Sequence, residues 1–156
     1  MVLTKRFPSE TFARALESWS WLDLAGKVPV LASMFGDVFL QDPTGYWFLD
    51  SIEGSLSKVA ADRAELQSIL DTTDGQDKYL LGGLALAAER RGLVPKEDEI
   101  YDFLVPPVLG GKFDGANITV RDFVVALDIS GQIHNQIRDL PPGTKIDGFT
   151  VDGFKP

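Results

Sequence analysis

Chemistry near neutral pH usually needs a histidine or a cysteine, and this sequence holds one histidine, His134, and no cysteine. A zinc site would have to combine His134 with carboxylates, and no spacing supports one. A serine relay needs a hydroxyl in reach, yet no GxSxG motif is present. At helical spacing the neighbours of His134 are Ser130 and Arg138, which reads as a helix-face histidine hydrogen-bonded locally. Carboxylates are plentiful. Glu97, Asp98, Glu99 and Asp102 fall within six residues. Like charges that close can raise a pKa and build an acid/base or metal site, and the same run also reads as a solvated loop. Asp71, Asp74 and Asp77 form a second group, without the i, i+2, i+4 ligands and distal Glu of a calcium-binding EF-hand. Gly110-Gly111 and Gly82-Gly83 match neither GxxxxGK[ST] nor GxGxxG. No catalytic residue, metal site or cofactor is expected from these patterns.

The elements that must position these residues are legible as periodicities. Phe12, Ala15, Leu16, Trp19 and Leu22 make one apolar helix face that begins after Pro8, with Ser9 or Thr11 as its cap. Trp21 lies off that stripe and is expected as an exposed anchor of the kind found at binding hot spots. Three antiparallel strands follow: one at Val38-Phe39-Leu40, one at Tyr46-Trp47-Phe48-Leu49 and one at Leu56 to Val59, with turns at Pro43 to Gly45 and at Gly54. Two helices are expected over 61–70 and 77–91, parted by Thr72-Thr73-Asp74-Gly75. Within the second, Gly82-Gly83 reads as a small-residue packing site. A short strand runs from Ile100 toward Val105, stopped by Pro106-Pro107. Thr119 to Asp122 has the spacing of a capping box for a last helix through Phe123, Leu127, Gly131 and His134, although Val124-Val125 would also suit a strand. Ile146 to Phe149 reads as a terminal hairpin around Asp-Gly. The fold class is therefore α+β, an antiparallel sheet with helices packed against it, in a single domain over residues 1–156.

Composition narrows the function classes. Apolar residues make up 44% of 156 and charged residues 24%, ordinary globular values. The N-terminal stretch has no apolar signal core, and no apolar run approaches the ~18 residues of a membrane span. Cytoplasmic residence follows as the default expectation. A formal net charge of −8 repels nucleic-acid phosphates and anionic lipid, so neither is an expected partner. The same charge steers in a cationic protein.

Taken in order, several short motifs resemble one known family. Phe35-Gly36-Asp37-Val38-Phe39-Leu40 is followed by Asp42, Gly45, Tyr46-Trp47-Phe48-Leu49-Asp50 and Gly54, and later by Tyr101-Asp102-Phe103, Pro106-Pro107, Leu109-Gly110-Gly111, Asn117-Ile118 and Gly131-Gln132-Ile133-His134. This series, over roughly residues 30–145, resembles the bacterial family named after the C-terminal domain of a type VI secretion DNase-immunity protein. The resemblance implies a non-catalytic inhibitor that binds a cognate, nuclease-like secreted toxin; some members of the family have no assigned toxin. No catalytic role passes to the GQIH segment, which reads as a fold signature. With the charge, the expected partner-binding residues are Glu97, Asp98, Glu99 and Asp102 first, Asp71, Asp74 and Asp77 second, and Trp21. The competing reading is a small-ligand site or enzyme built from the acidic 97–102 loop and Gly110-Gly111.

Overall fold

The computed structural model describes residues 1–146 and 148. Five strands form one antiparallel sheet in the order β1 (Thr4–Lys5), β2 (Val28–Ser33), β3 (Val38–Asp42), β4 (Gly45–Asp50) and β5 (Ser55–Ala60). The three expected strands are β3 to β5. β1 and β2 escape a sequence reading for separate reasons. β1 has only two residues. β2 carries Pro29, which normally argues against a strand, and tolerates it where the register with β3 shifts between Pro29 and Leu31. β1 pairs only with Ala32 and Ser33, so Pro29 lies beyond its reach.

Both faces of the sheet are covered, which explains why β3 and β4 read as unbroken apolar runs. Val38, Leu40 and Leu49 point toward α1 (Ser9–Ala15) and α5 (Phe123–Ile137), where they meet Phe12, Trp19, Phe123 and Leu127. Phe39, Tyr46 and Phe48 point the other way, onto Leu66 of α2 (Arg63–Leu70) and Leu80 of α3 (Thr73–Leu80). The alternation is the period of a strand, and each fully buried side chain contributes roughly 1.5–3 kcal/mol. A second, two-stranded ribbon, β6 (Glu99–Phe103) with β7 (Ile118–Asp122), packs Tyr101, Phe103 and Ile118 against α4 (Gly82–Arg90) and Phe35. It is moored to the main sheet by Tyr101 N–H donating to the Met34 carbonyl at 2.7 Å.

Helix boundaries differ from the periodicity in four places. The first helix stops at Ala15 and continues as a 3₁₀ turn over Glu17–Trp19; Ser9 is its first residue rather than a cap, and no side chain caps it. The 77–91 helix is two helices. Leu81 turns left-handed (φ 49°) between α3 and α4, a conformation that costs about 1–2 kcal/mol and places its side chain against the ribbon core. Gly82-Gly83 thus opens a helix instead of packing inside one. Thr72-Thr73-Asp74-Gly75 does not merely separate helices: Thr72 caps α3, its hydroxyl accepting from Gly75 N–H at 3.0 Å. The capping box at Thr119 is displaced, because Thr119 pairs with Asp102 in the ribbon. Asp122 itself caps α5, accepting from Val125 N–H at 3.0 Å. That cap, with both flanks of α5 packed, holds Val124-Val125 helical against their β preference. The expected terminal hairpin needs residues 147 and 149, which lie outside the described residues.

Candidate functional site

Asp37 and His134 meet in one buried polar knot built with Ser33, Ser51 and Ser130. Asp37 sits in the β2–β3 turn and is 2% exposed. Its Oδ2 accepts from Ser33 Oγ at 2.9 Å, and its Oδ1 accepts from Ser51 N–H and Ser51 Oγ at 2.9 and 3.0 Å. Ser51 belongs to the β4–β5 turn, so one carboxylate ties two turns at the same end of the sheet. The Ser51 carbonyl then accepts from Ser130 Oγ at 2.8 Å and from His134 Nε2 at 3.0 Å, which ties α5 to the same point. Burial pushes the Asp37 carboxyl up to about 7, with the nearby charge of Asp50 acting in the same direction, while the hydrogen bonds from Ser51 and Ser33 hold it down. Burial also lowers the pKa of His134, against the pull of the Ser51 carbonyl, Asp50 and Glu53.

Three glycines make this approach possible. At Gly54 (φ +73°) an added Cβ would lie 2.5 Å from His134 Nδ1, and at Gly131 one would lie 2.3 Å from Ser18 Oγ and 2.8 Å from Trp19 Nε1. At Gly36 (φ +86°) it would meet Ile100 and Leu127 side chains at 2.7 Å. The GQIH segment therefore docks α5, as a fold signature would. The His134 ring engages the Ser51 carbonyl.

The other expected site residues are spread over separate places. Glu97, Asp98 and Glu99 form the turn entering β6. Lys5 reaches over it, donating to the Lys96 and Glu99 carbonyls, and the three carboxylates are its nearest stabilising charges. Lys5 thus places a positive charge beside this turn, bonded to its backbone rather than to its carboxylates. Asp102, at the far end of the strand, is half-buried and paired with Arg121 Nε at 2.7 Å. Burial raises its pKa more than the Phe103 amide and Arg121 lower it. Three residues of strand put Asp102 about 10 Å from Glu99 and on the opposite face, so Glu97 to Glu99 and Asp102 do not form one cluster. Gly110-Gly111 closes a separate loop turn: a Cβ on Gly111 would lie 1.7 Å from the Val105 carbonyl oxygen. The acidic loop and the glycine pair are thus not brought together as a common pocket. Asp71, Asp74 and Asp77 are exposed. Asp71 accepts from Gln67 at 2.8 Å, and none of the three forms an ion pair among the described residues.

Trp21, expected as a free anchor, is half-buried. It stacks on Trp19 with centroids 5.7 Å apart, donates its Nε1–H to the Gly131 carbonyl at 3.2 Å, and lies under the Arg138 guanidinium. Its place off the helical stripe arises because the helix has already ended, and the indole turns inward to meet α5.

A surface that sequence reasoning missed lies around the loop from Leu104 to Asn117. Phe113 is 55% exposed yet leans edge-on against Phe103 at 5.5 Å. Beside it are two clefts that share Ile52. One, of about 60 Å³, runs between the loop and α5 and is lined by Ser51, Asp102, Phe103, Val108, Ile133 and His134 among others. The other, of about 150 Å³, is lined by Asp50, Glu53, Lys78, Tyr79 and Phe113 among others. The sequence signal was present: Val105, Val108, Leu109 and Phe113 stand inside a Pro- and Gly-rich stretch, where apolar side chains lack a regular face to hide them. Among the described residues no group of three or more His, Asp or Glu is placed to hold a metal ion, and no helix is long and apolar enough to cross a membrane.

No protein-family model matches the chain, and no curated protein does. Among solved structures, the crystal structure of Atu4351 from Agrobacterium tumefaciens is similar, with a TM-score of 0.52 and 18% identity over 80% of this chain. This chain spans 62% of that chain's length. At that identity the likeness concerns the fold, and it agrees with the α+β class.

Proposed function

We propose that this protein is a non-catalytic binding protein of the immunity type, resident in the cytoplasm, which binds a cationic, nuclease-like toxin and neutralises it through an acidic surface. The observation that supports the reading is the net negative charge of the α2–α3 segment. Residues 61–80 hold Asp62, Glu65, Asp71, Asp74 and Asp77 against two bases, Arg63 and Lys78. Asp62 and Glu65 cap α2, accepting from Glu65 N–H and Ala61 N–H at 2.9 Å each, so Asp71, Asp74 and Asp77 supply the outward field. A nuclease presents basic groups to bind phosphate, and an acidic surface that covers those groups competes with its substrate.

The test is co-expression with the product of the neighbouring reading frame. Growth rescue, together with co-purification that weakens as salt rises, is the expected result. A toxic neighbour that still arrests growth while this protein accumulates folded would overturn the reading.

A further inference from the structure

We propose that the cleft between α2 and the main sheet is a small-molecule site for an organic carboxylate with an apolar body, held by Arg6, Arg63 and the Tyr46 hydroxyl. The cleft encloses about 250 Å³. Two bases line it, Arg6 and Arg63, and no acid does. In a chain of net charge −8, this is a place that attracts an anion rather than a cation.

Tyr46 is the residue that points to a ligand. It is 8% exposed, yet its hydroxyl has no hydrogen-bond partner among the described residues. A phenol sunk to that depth normally finds one. Its hydroxyl is not sealed in the core, and the residue lines the cleft. The backbone bends on both sides of this place. The register of β2 with β3 shifts between Pro29 and Leu31, and that of β4 with β5 between Tyr46 and Trp47. Such bulges re-aim side chains. The first leaves both Val30 and Leu31 on the cleft, where a regular strand would send them to opposite faces.

The arginines are free to receive a ligand. Neither forms an ion pair or a hydrogen bond among the described residues. Arg63 opens α2, where a positive charge opposes the helix dipole. The acids of the same helix are turned elsewhere: Asp62 and Glu65 to the backbone amides of Glu65 and Ala61, and Asp71 to the Gln67 amide. A guanidinium offers a planar fork of N–H donors that matches a carboxylate. Opposite the charge, Leu31, Leu66 and Leu70 continue into the core under α2. A bare inorganic ion would leave them wet, whereas an apolar body covers them. At about 30 Å³ for each water-sized atom, the cleft takes on the order of eight non-hydrogen atoms.

The experiment titrates the ¹⁵N-labelled full chain with hexanoate, acetate, inorganic phosphate and hexylammonium, each to millimolar concentration. Hexanoate is expected to shift Arg6, Leu31, Tyr46, Arg63 and Leu70, and to bind about 10-fold more tightly than acetate or phosphate. Hexylammonium is expected to shift none of them. Two variants repeat the titration, Tyr46→Phe and the double change Arg6→Gln with Arg63→Gln. Tyr46→Phe should melt as the wild type does, since the hydroxyl bonds nothing in the chain, and should bind hexanoate about 5-fold more weakly. The double variant should lose about 10-fold or more. If Tyr46→Phe melts lower, the two exposed arginines carry the test alone. Silence at millimolar hexanoate, shifts centred elsewhere, phosphate as tight as hexanoate, an equal response to hexylammonium, or full affinity in the double variant overturns the proposal. Growth rescue by co-expression does not depend on this cleft, so the site and the immunity reading stand or fall separately.

Discussion

Asp37 and Asp74 carry the same carboxyl group in opposite settings. Asp37 is buried, receives three hydrogen bonds and joins the β2–β3 and β4–β5 turns. Asp74 lies in the first turn of α3, exposed, where a negative charge favours the helix dipole and little else in the chain depends on it. The difference separates what keeps the fold from what faces a partner. Gly36, Asp37, Gly54, Gly131 and His134 belong to the first class. The acidic α2–α3 surface belongs to the second class, and the proposed function rests on it.

The comparison breaks if the buried knot can be removed cheaply. Asp37→Ala leaves the Ser33 hydroxyl and both donors of Ser51 without their acceptor in the core, and urea melts are expected to lose about 3 kcal/mol. Gly131→Ala follows at about 2–3 kcal/mol, because its Cβ also meets the Ser18 backbone oxygen at 2.9 Å, which moves only if α5 moves. Gly54→Ala is expected to cost about 2 kcal/mol, from the left-handed backbone and the clash with His134.

The next effect depends on pH. The folded state holds the Asp37 proton more tightly than the unfolded chain does, since its pKa stands near 7. The unfolded carboxyl titrates near ~3.9. Wild-type stability relative to Asp37→Asn is therefore greatest below about pH 4 and falls as pH rises toward about 7, by at most ~1.4 kcal/mol per pH unit. His134 works in the opposite sense, since its lowered pKa favours folding as pH rises toward ~6.5. It is common to both proteins and cancels in the difference. A flat difference curve would mean that Asp37 is ionised throughout and that its three donors outweigh its burial.

At the smallest end, the triple change Asp71→Asn, Asp74→Asn and Asp77→Asn is expected to alter stability by less than about 0.5 kcal/mol. Its association rate with the rescued toxin at low salt should fall on the order of 10-fold, measured by stopped flow. An unchanged rate would remove α3 from the contact surface and with it the observation on which the proposed function rests.

Much of the architecture was open to a sequence reading because it is local. The alternation through β3 and β4, the turns at Gly45 and Gly54 and the stripe of Phe12, Ala15 and Trp19 each follow from a few consecutive residues. The errors arose where a short-range pattern met a long-range contact. Thr119 looked like a cap until Asp102 claimed it as a strand partner, and Trp21 looked exposed until Gly131 offered its carbonyl. Of the acidic residues, sequence alone could name the clusters but not see Lys5 folded over one of them from 91 and more positions away.

By itself, then, the sequence determined the periods, the α+β class and the charge of −8, since periodicity dictates which face of an element shuns water and charge is a sum over residues. Only the tertiary structure decided that Asp37 meets Ser51, that His134 reaches the same serine from 83 residues on, and that Phe113 and Val108 stand around Ile52 at the mouth of two clefts. Those pairings depend on how separate elements cross, and crossing is set by the packing of whole faces against one another rather than by any residue's neighbours along the chain.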